Sequence, residues 1–481
     1  MSKTLYSLSL IFLIGITSVI AQNPWSLQDC IKYAEENSIA IQQAQLNIQS
    51  ALLDKKQSQM SRLPDLNGSI NGGAQFGRTI DPTTNSFDNQ TIGFNRLSLS
   101  SNMTIFNGGR INNAIKSANA SADIARLNGD VAANDLRLNI ASAYLGILMA
   151  EENLRNAQSR RDLSKRQLDQ MQRFILAGSR PANDSLNVKA QLAIDNQTII
   201  QAQNNLELAY LNLRNLMRLP DDQPFSIIKP ELENPDESVM VEANFGTVYN
   251  AALNTQPQIK VSDKQVMASQ IVEDIEKSGY YPQLSAFASL NSNWSSAART
   301  INGFNDVILY EDFYLPTLFP GQPENPVAIG IEQRIPNLQD QPYFDQIDQN
   351  FGQTVGLQLV IPIYNNHQVI TRSEKARINT LQAQNNAELA RQQLKTDVQN
   401  AVANARAAKQ TFDAAKISLD ANQVAFDNAE KRFNLGAIST FELGNSRTNL
   451  DLAQTEYIRS KYDFIFQLKV VEFYLGKDLK F

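Results

Sequence analysis

The sequence predicts an α/β membrane protein that is internally duplicated, with short strand pairs set between very long helices. Three observations carry that reading. The same run of parts occurs twice along the chain, two proline-poor stretches are long enough for rods of roughly 100 Å, and several strands place apolar residues on every second position.

The duplication sets the order of elements. RFNLGAISTFELGN, from Arg432 to Asn445, is echoed by RFILAGSRPANDSL, which starts at Arg173, 259 residues earlier. Pro64 in RLPDL pairs with Pro282 in YYPQL at an offset of 218, which also places Ala34 on Ala252 and Ile41 on Ile259. MTIFNG, from Met103 to Gly108, matches IPIYNN, from Ile361 to Asn366, at an offset of 258. The second copy therefore carries 40 extra residues, within about 295–350, where six of the 17 prolines fall. The copies are bounded as residues 22–242 and 243–481.

Each copy opens with a helical stretch, Ser26 to Met60 and Ala243 to Lys277. Pro257 should split the second, because proline lacks an N–H and clashes with the preceding turn. Two strands follow in each copy. A long helix comes next, Ile111 to Ala177 and then His367 to Leu435. After a tip, a shorter helix runs from Ala182 to Met217 and from Thr440 to Leu475. From Ile363 to Phe481 there is no proline. Helices this long pack side by side as in coiled coils.

The strands have the pattern of a lipid-facing wall. In RLSLSSNMTI, Leu97, Leu99, Met103 and Ile105 alternate with Arg96, Ser98, Ser100, Asn102 and Thr104. In TVGLQLVIPI the apolar side is Val355, Leu357, Leu359, Ile361 and Ile363. The segments Asp65 to Phe76 and Gln283 to Trp294 alternate less cleanly, with Leu66, Ile70, Leu284 and Leu290 on one side. Such runs suit a transmembrane barrel with a wet interior, although alternation alone also suits a soluble sandwich. Four strands cannot enclose a passage, and an open edge cannot sit in lipid. Three chains would supply twelve strands.

Composition narrows the chemistry. Lys+Arg 43 against Asp+Glu 49 gives a net charge of −6, which excludes the basic face that nucleic acid needs. With one cysteine, Cys30, and one histidine, His367, a zinc site of three or four ligands cannot be assembled in the usual way. No nucleophile–base pair or phosphate loop is present, so neither an enzyme nor a cofactor is expected. MSKTLYSLSLIFLIGITSVIA reads as a signal peptide of residues 1–21. No cysteine follows the cut, so no lipid anchor is expected there. After it no run of about 18 apolar residues occurs, so no membrane-crossing helix is expected.

WSLQDCIKYAEENS, the IFNGG and IPIYNN turns and the paired RF-x-L-[AG] tips, in this order and duplicated, resemble the TolC family of outer-membrane efflux and secretion channels. The resemblance covers nearly the whole mature chain. It implies a homotrimer with a twelve-stranded barrel in outer-membrane lipid and an α-helical tunnel in the periplasm. It also implies a periplasmic adaptor and an inner-membrane transporter as partners. A periplasmic adaptor of an export complex is the rival reading, since adaptors too are built on long hairpin helices.

Candidate functional residues fall in three groups. The strand-to-helix turns are Asn107, Gly108 and Gly109 in the first copy, and Asn365 and Asn366, followed by His367, in the second. Asn tolerates left-handed geometry better than other non-glycine residues, so the second turn can survive the loss of glycine. The tips hold Gly178, Ser179 and Pro181, then Gly436, Ser439, Thr440 and Glu442. Ser439 to Glu442 reads as a capping box and Pro181 as a residue of a first helical turn. The resemblance implies that adaptors dock at these tips. Asp413, Asp420 and Asp427 recur at heptad spacing after Phe412, Leu419 and Phe426, so they share one stripe. In a trimer each would become a ring of three, and the resemblance implies that such a ring narrows the lumen near Asp427. A charge stripe is otherwise an ordinary solvated face. Cys30 reads as a small core residue and His367 as a polar neighbour of a cap. The terminal Phe481 is of a kind found on barrel proteins. The insertion is expected as an extracellular loop, open to labelling at Asn325 on intact cells.

Overall fold

The computed structural model describes residues 24–80, 87–89, 91–230, 244–314, 326–477 and 479. The expected signal peptide 1–21, Asn325 and Phe481 lie outside the described residues. In chain order the helices are α1 Leu27–Asn37, α2 Ile39–Met60, α3 Arg110–Leu176, α4 Asp184–Met217, α5 Phe245–Thr255, α6 Pro257–Lys277, α7 Tyr343–Gln349, α8 Gln368–Asn434 and α9 Thr440–Tyr474. The strands are β1 Asn67–Gln75, β2 Arg78–Ile80, β3 Phe87–Asn89, β4 Ile92–Asn107, β5 Gln283–Ser295, β6 Arg299–Tyr314, β7 Pro326–Asp340 and β8 Gly352–Val360. α3 and α8 are 67 residues each, as the proline-poor stretches require.

The chain divides into two compact units. One comprises Met1–Leu53, Asn119–Ser269 and Asn379–Phe481; the other comprises Asp54–Ala118 and Gln270–Ile378. The first is helical and carries the duplication into its core. Cys30, Ala34, Leu136, Ile140, Tyr144 and Leu213 pack in one cluster, and Val248, Ala252, Leu394, Val398, Val402 and Val471 in another. The members correspond at offsets of 218 before the insertion and 258 across it. Cys30 thus occupies the place of Val248, which accounts for it as a small apolar filler. Burial pushes its thiol pKa up to about 12.

The stretch expected to run unbroken from Ser26 to Met60 is interrupted at Ser38, whose backbone is extended at φ −65° and ψ 132°. The second copy breaks at Gln256, with φ −71° and ψ 121°, 218 residues on. In each, the N–H of the break residue donates to the carbonyl of a buried alanine, Ala34 at 2.8 Å and Ala252 at 2.9 Å. Proline dictates the second break. The first has no proline; Ser38 closes α1 through its N–H and opens α2 through its carbonyl, which accepts from the Gln42 N–H at 3.0 Å.

The second unit is built on a four-stranded antiparallel sheet in the order β1-β4-β5-β8. Its register brings apolar residues of all four strands onto one face: Ile70 opposite Leu97, Leu99 opposite Leu290, Leu284 opposite Leu359 and Ala286 opposite Leu357, while Phe94 and Phe287 fall on the other. The other face carries Ser69 opposite Ser98, Asn71 opposite Arg96, Ser100 opposite Ser289 and Ser285 opposite Gln358. β8 stops at Val360, so Ile361 and Ile363 stand beyond the strand, exposed. The insertion, expected as an extracellular loop, carries regular secondary structure. It forms a long hairpin, β6 with β7, followed by α7. Pro336 sits opposite Phe304, at the register shift of that hairpin, where a missing ladder donor is tolerated. Among the described residues, the matching connection of the first copy holds the short pair β2 and β3.

Candidate functional site: helical tips and strand-to-helix turns

Both tips close their long helix in the same way. The Gly178 N–H donates to Ile175 O and the Ser179 N–H to Phe174 O, each at 2.9 Å; Gly436 donates to Phe433 O and Ala437 to Arg432 O, again at 2.9 Å. This paired closure needs a left-handed residue, and φ is 71° at Gly178 and 74° at Gly436. The two glycines are 258 residues apart, so the letter match of the two RF pairs at 259 lies one residue off the structural register.

Beyond the glycines the tips differ. Pro181 does not enter α4. Asp184 donates to Pro181 O at 3.1 Å in a tight turn, and α4 begins at Asp184, two residues later than expected. In the second tip the Ser439 hydroxyl accepts from the Glu442 N–H at 3.2 Å. Among the described residues the Glu442 carboxylate makes no return bond to Ser439, so only half of the expected capping box forms. The full reciprocal box occurs at Ser26 and Asp29. The tips also touch each other. The Arg180 guanidinium lies 4.8 Å from the Phe433 ring centroid, and Gln170 donates to Asn434 Oδ1 at 2.7 Å. Thr440, Phe433, Met171 and Leu443 line a cavity of about 270 Å³ between them.

About two turns from the tips lies a buried charged network that reading the sequence missed. Arg447 on α9 is 3% exposed and Asp195 on α4 is 1% exposed. Arg447 Nη2 donates to Asp195 Oδ2 at 2.8 Å and to Arg160 O at 2.8 Å, while Nη1 donates to Ser164 Oγ and to Gln167 Oε1. The Ser164 hydroxyl donates in turn to Asp195, which also accepts from Gln191 at 3.0 Å. Arg160 pairs with Asp451 at 2.9 Å. Burial pushes the Asp451 carboxyl up, against the pull of Arg160 and Arg447. The available signal was spacing: Arg160, Ser164 and Gln167 share a face of α3, as Arg447 and Asp451 do on α9.

The aspartate stripe is exposed along α8, and Phe412 and Phe426 beside it are buried. Asp413 is engaged by Lys409 at 2.9 Å and Asp427 accepts from Gln423 at 2.8 Å. Asp420 acts electrostatically on Tyr457, after burial the next cause raising that phenol's pKa.

At the strand-to-helix turns Gly108 and Gly109 have φ 65° and 84°, and their counterparts Asn366 and His367 have 51° and 66°. His367 is therefore part of the turn itself, standing where Gly109 stands, and not merely a neighbour of a cap. Asn107 Oδ1 accepts from the Ile111 N–H at 3.2 Å, and Asn365 O accepts from the Gln368 N–H at 3.0 Å. A side chain at Gly108 would come within 2.7 Å of Ser278 O, so this turn requires glycine by contact as well as by φ.

The chain matches the family described as outer membrane efflux protein over residues 30–217 and 248–477, one segment per copy. It is 24% identical over 348 residues to outer membrane protein TolC of Escherichia coli (strain K12), covering 71% of this chain and 61% of that protein, so the match spans less than two thirds of the relative. Among solved structures, the outer membrane protein VceC of Vibrio cholerae superposes with a TM-score of 0.71 at 13% identity, covering 94% of this chain and 96% of that one. A CusC structure superposes at 0.70 with 15% identity and 96% of each chain. The open-state MtrE outer membrane channel of Neisseria gonorrhoeae gives 0.67 at 15% identity, over 95% of this chain and 90% of that one. The chain belongs to the outer membrane efflux protein family and has the fold of TolC-like channels.

Proposed function

We propose that the protein is a non-catalytic exit duct in the outer membrane, passing small molecules or exported polypeptides from a periplasmic partner complex to the outside. The observation that carries this reading is the sheet. Its four strands share one mainly apolar face and one mainly polar face, and among the described residues its outer strands β1 and β8 each pair on one side only. No helix among the described residues is long and apolar enough to cross a membrane, so strands are what could meet lipid. An open edge is untenable in hydrocarbon, and a homotrimer would join β1 of each copy to β8 of the next around twelve strands.

In this reading the small-residue tips around Gly178 and Gly436 meet a periplasmic adaptor, which an inner-membrane transporter energises. The stripe of Asp413, Asp420 and Asp427 faces the lumen. The β6–β7 hairpin stands outside the cell, so a cysteine replacing exposed Tyr310 should be labelled on intact cells. Mass measurement in mild detergent together with planar-bilayer conductance tests the core claim: a trimer that conducts supports it. A stable, non-conducting monomer with all strands formed refutes it.

A further inference from the structure

The short helix α7 is fastened against the apolar side of the sheet. Gln346, 1% exposed, donates to Ser295 O at 3.1 Å and Gln341 O at 2.8 Å and accepts from the Ser295 N–H at 2.9 Å. Ser292 Oγ donates to Ile347 O at 2.6 Å, and Asn350 donates to Asn293 O at 2.8 Å. Four of these five contacts reach β5 and hold one wall beside the strands. Between that wall and the sheet runs a groove of about 500 Å³, lined by Ile70, Leu97, Leu99, Leu290, Ile347 and Phe351.

The groove's position says what fills it. Ser292 and Trp294 lie opposite Leu97 and Asn95, so both belong to the apolar face. Trp294, Tyr343 and Phe344 form an aromatic chain there, with centroids 5.8 Å and 5.4 Å apart. At the other end of the sheet Tyr280, Tyr281 and Tyr364 are exposed. Gln283 to Trp294 is 12 residues, and its 11 steps span roughly 36 Å along a strand and about 28 Å when tilted as in membrane barrels. That separation matches an apolar band bounded by two aromatic girdles. The groove therefore opens just inside the outer girdle, on the side turned to lipid. Left empty, its walls would forfeit packing contacts on one side.

We propose that this groove holds one acyl chain of an outer-leaflet lipid, with its headgroup at the level of Trp294 and Tyr343. The proposal rests on the channel reading above, because it needs the apolar face turned to hydrocarbon. Lipid tails are as apolar as leucine, so slow exchange rather than hydrophobic preference would mark the site.

Two readouts on the full-length channel separate the claims. In a Trp25→Phe background Trp294 is the sole tryptophan, and vesicles of brominated-chain phosphatidylglycerol should quench its fluorescence. Absence of quenching would overturn the lipid-facing reading and the groove with it. Native mass spectrometry after reconstitution with phosphatidylglycerol and detergent exchange should show one retained lipid per protomer. Ile70→Trp, at an exposed position that fills the groove, and Phe351→Ala, which removes part of its wall, should each lower that retention several-fold. Quenching with no retained lipid, or with retention unchanged in both variants, overturns the groove alone.

Discussion

Replacing Arg447 by methionine would leave Asp195 as a buried anion with only the neutral donors Gln191 and Ser164 around it. Both partners are almost wholly shielded from solvent, at 3% and 1% exposure. Removing one member of such a pair costs about 3–5 kcal/mol, because the other charge stays desolvated. At about 1.4 kcal/mol per tenfold, local opening becomes roughly 10²- to 10³-fold more frequent. Hydrogen exchange on the detergent-solubilised channel should report this as faster exchange around Ser164, Asp195 and Asp451. The double variant Arg447→Met with Asp195→Leu should recover most of the protection, since neither charge is then buried. Arg447→Met exchanging at the wild-type rate, or the double variant exchanging as fast as the single, would refute the claim that a charge pair secures this part of the bundle.

Other outcomes follow from the same geometry. Gly108→Ala should reduce the yield of assembled trimer far more than Asn366→Ala, because it adds a clash with Ser278 O to a left-handed backbone cost of about 1–2 kcal/mol; equal yields on a detergent gel would contradict this. Cys30 should resist iodoacetamide at pH 8 in the folded protein and react on denaturation. Its folded pKa of about 12 lies above the ordinary 9.0, so the stability from the neutral thiol is full below about pH 9 and is lost as pH rises towards 12. Converting both Asp420 and Asp427 to Asn should lower cation preference and multivalent-cation block in planar bilayers, by focusing less negative potential at the opening. The effect should fade as the Debye length falls from about 10 Å at 0.1 M to about 3 Å at 1 M salt; no change at low salt would place the stripe outside the lumen.

Much of the fold was legible because it rests on period. Two-residue alternation in Leu97, Leu99 and Met103 needed only the sheet register to become a face. Freedom from proline allowed α3 and α8 their full length. What was not legible depends on contacts between distant segments. Ser38 breaks a helix without a proline, at the position 218 residues before the break at Gln256. The β6–β7 hairpin was hidden by Pro326 and Pro336, which sit at a strand start and at a register shift. Arg447, Asp195 and Ser164 come from three separate helices. Each alone reads as a surface residue, and the shared face of Arg160, Ser164 and Gln167 does not by itself say that the face is buried. His367 was placed in its turn by the match of Asn365-Asn366-His367 to Asn107-Gly108-Gly109, but its positive φ was not foreseen, because left-handed geometry was credited to Asn alone.

The unpaired edges of β1 and β8 bear on how the protein reaches its membrane. A lone copy in hydrocarbon would expose two rows of backbone donors and acceptors, which lipid cannot satisfy. Insertion is then inseparable from association. Barrel appearance should rise more steeply than linearly with chain concentration, and a chain waiting for partners needs its edges shielded in water. The same rows are templates for wrong pairing. Overproduction beyond the capacity for assembly should therefore end in strand-mediated aggregates of intact chains, while the proteolytic susceptibility of the helices stays unchanged.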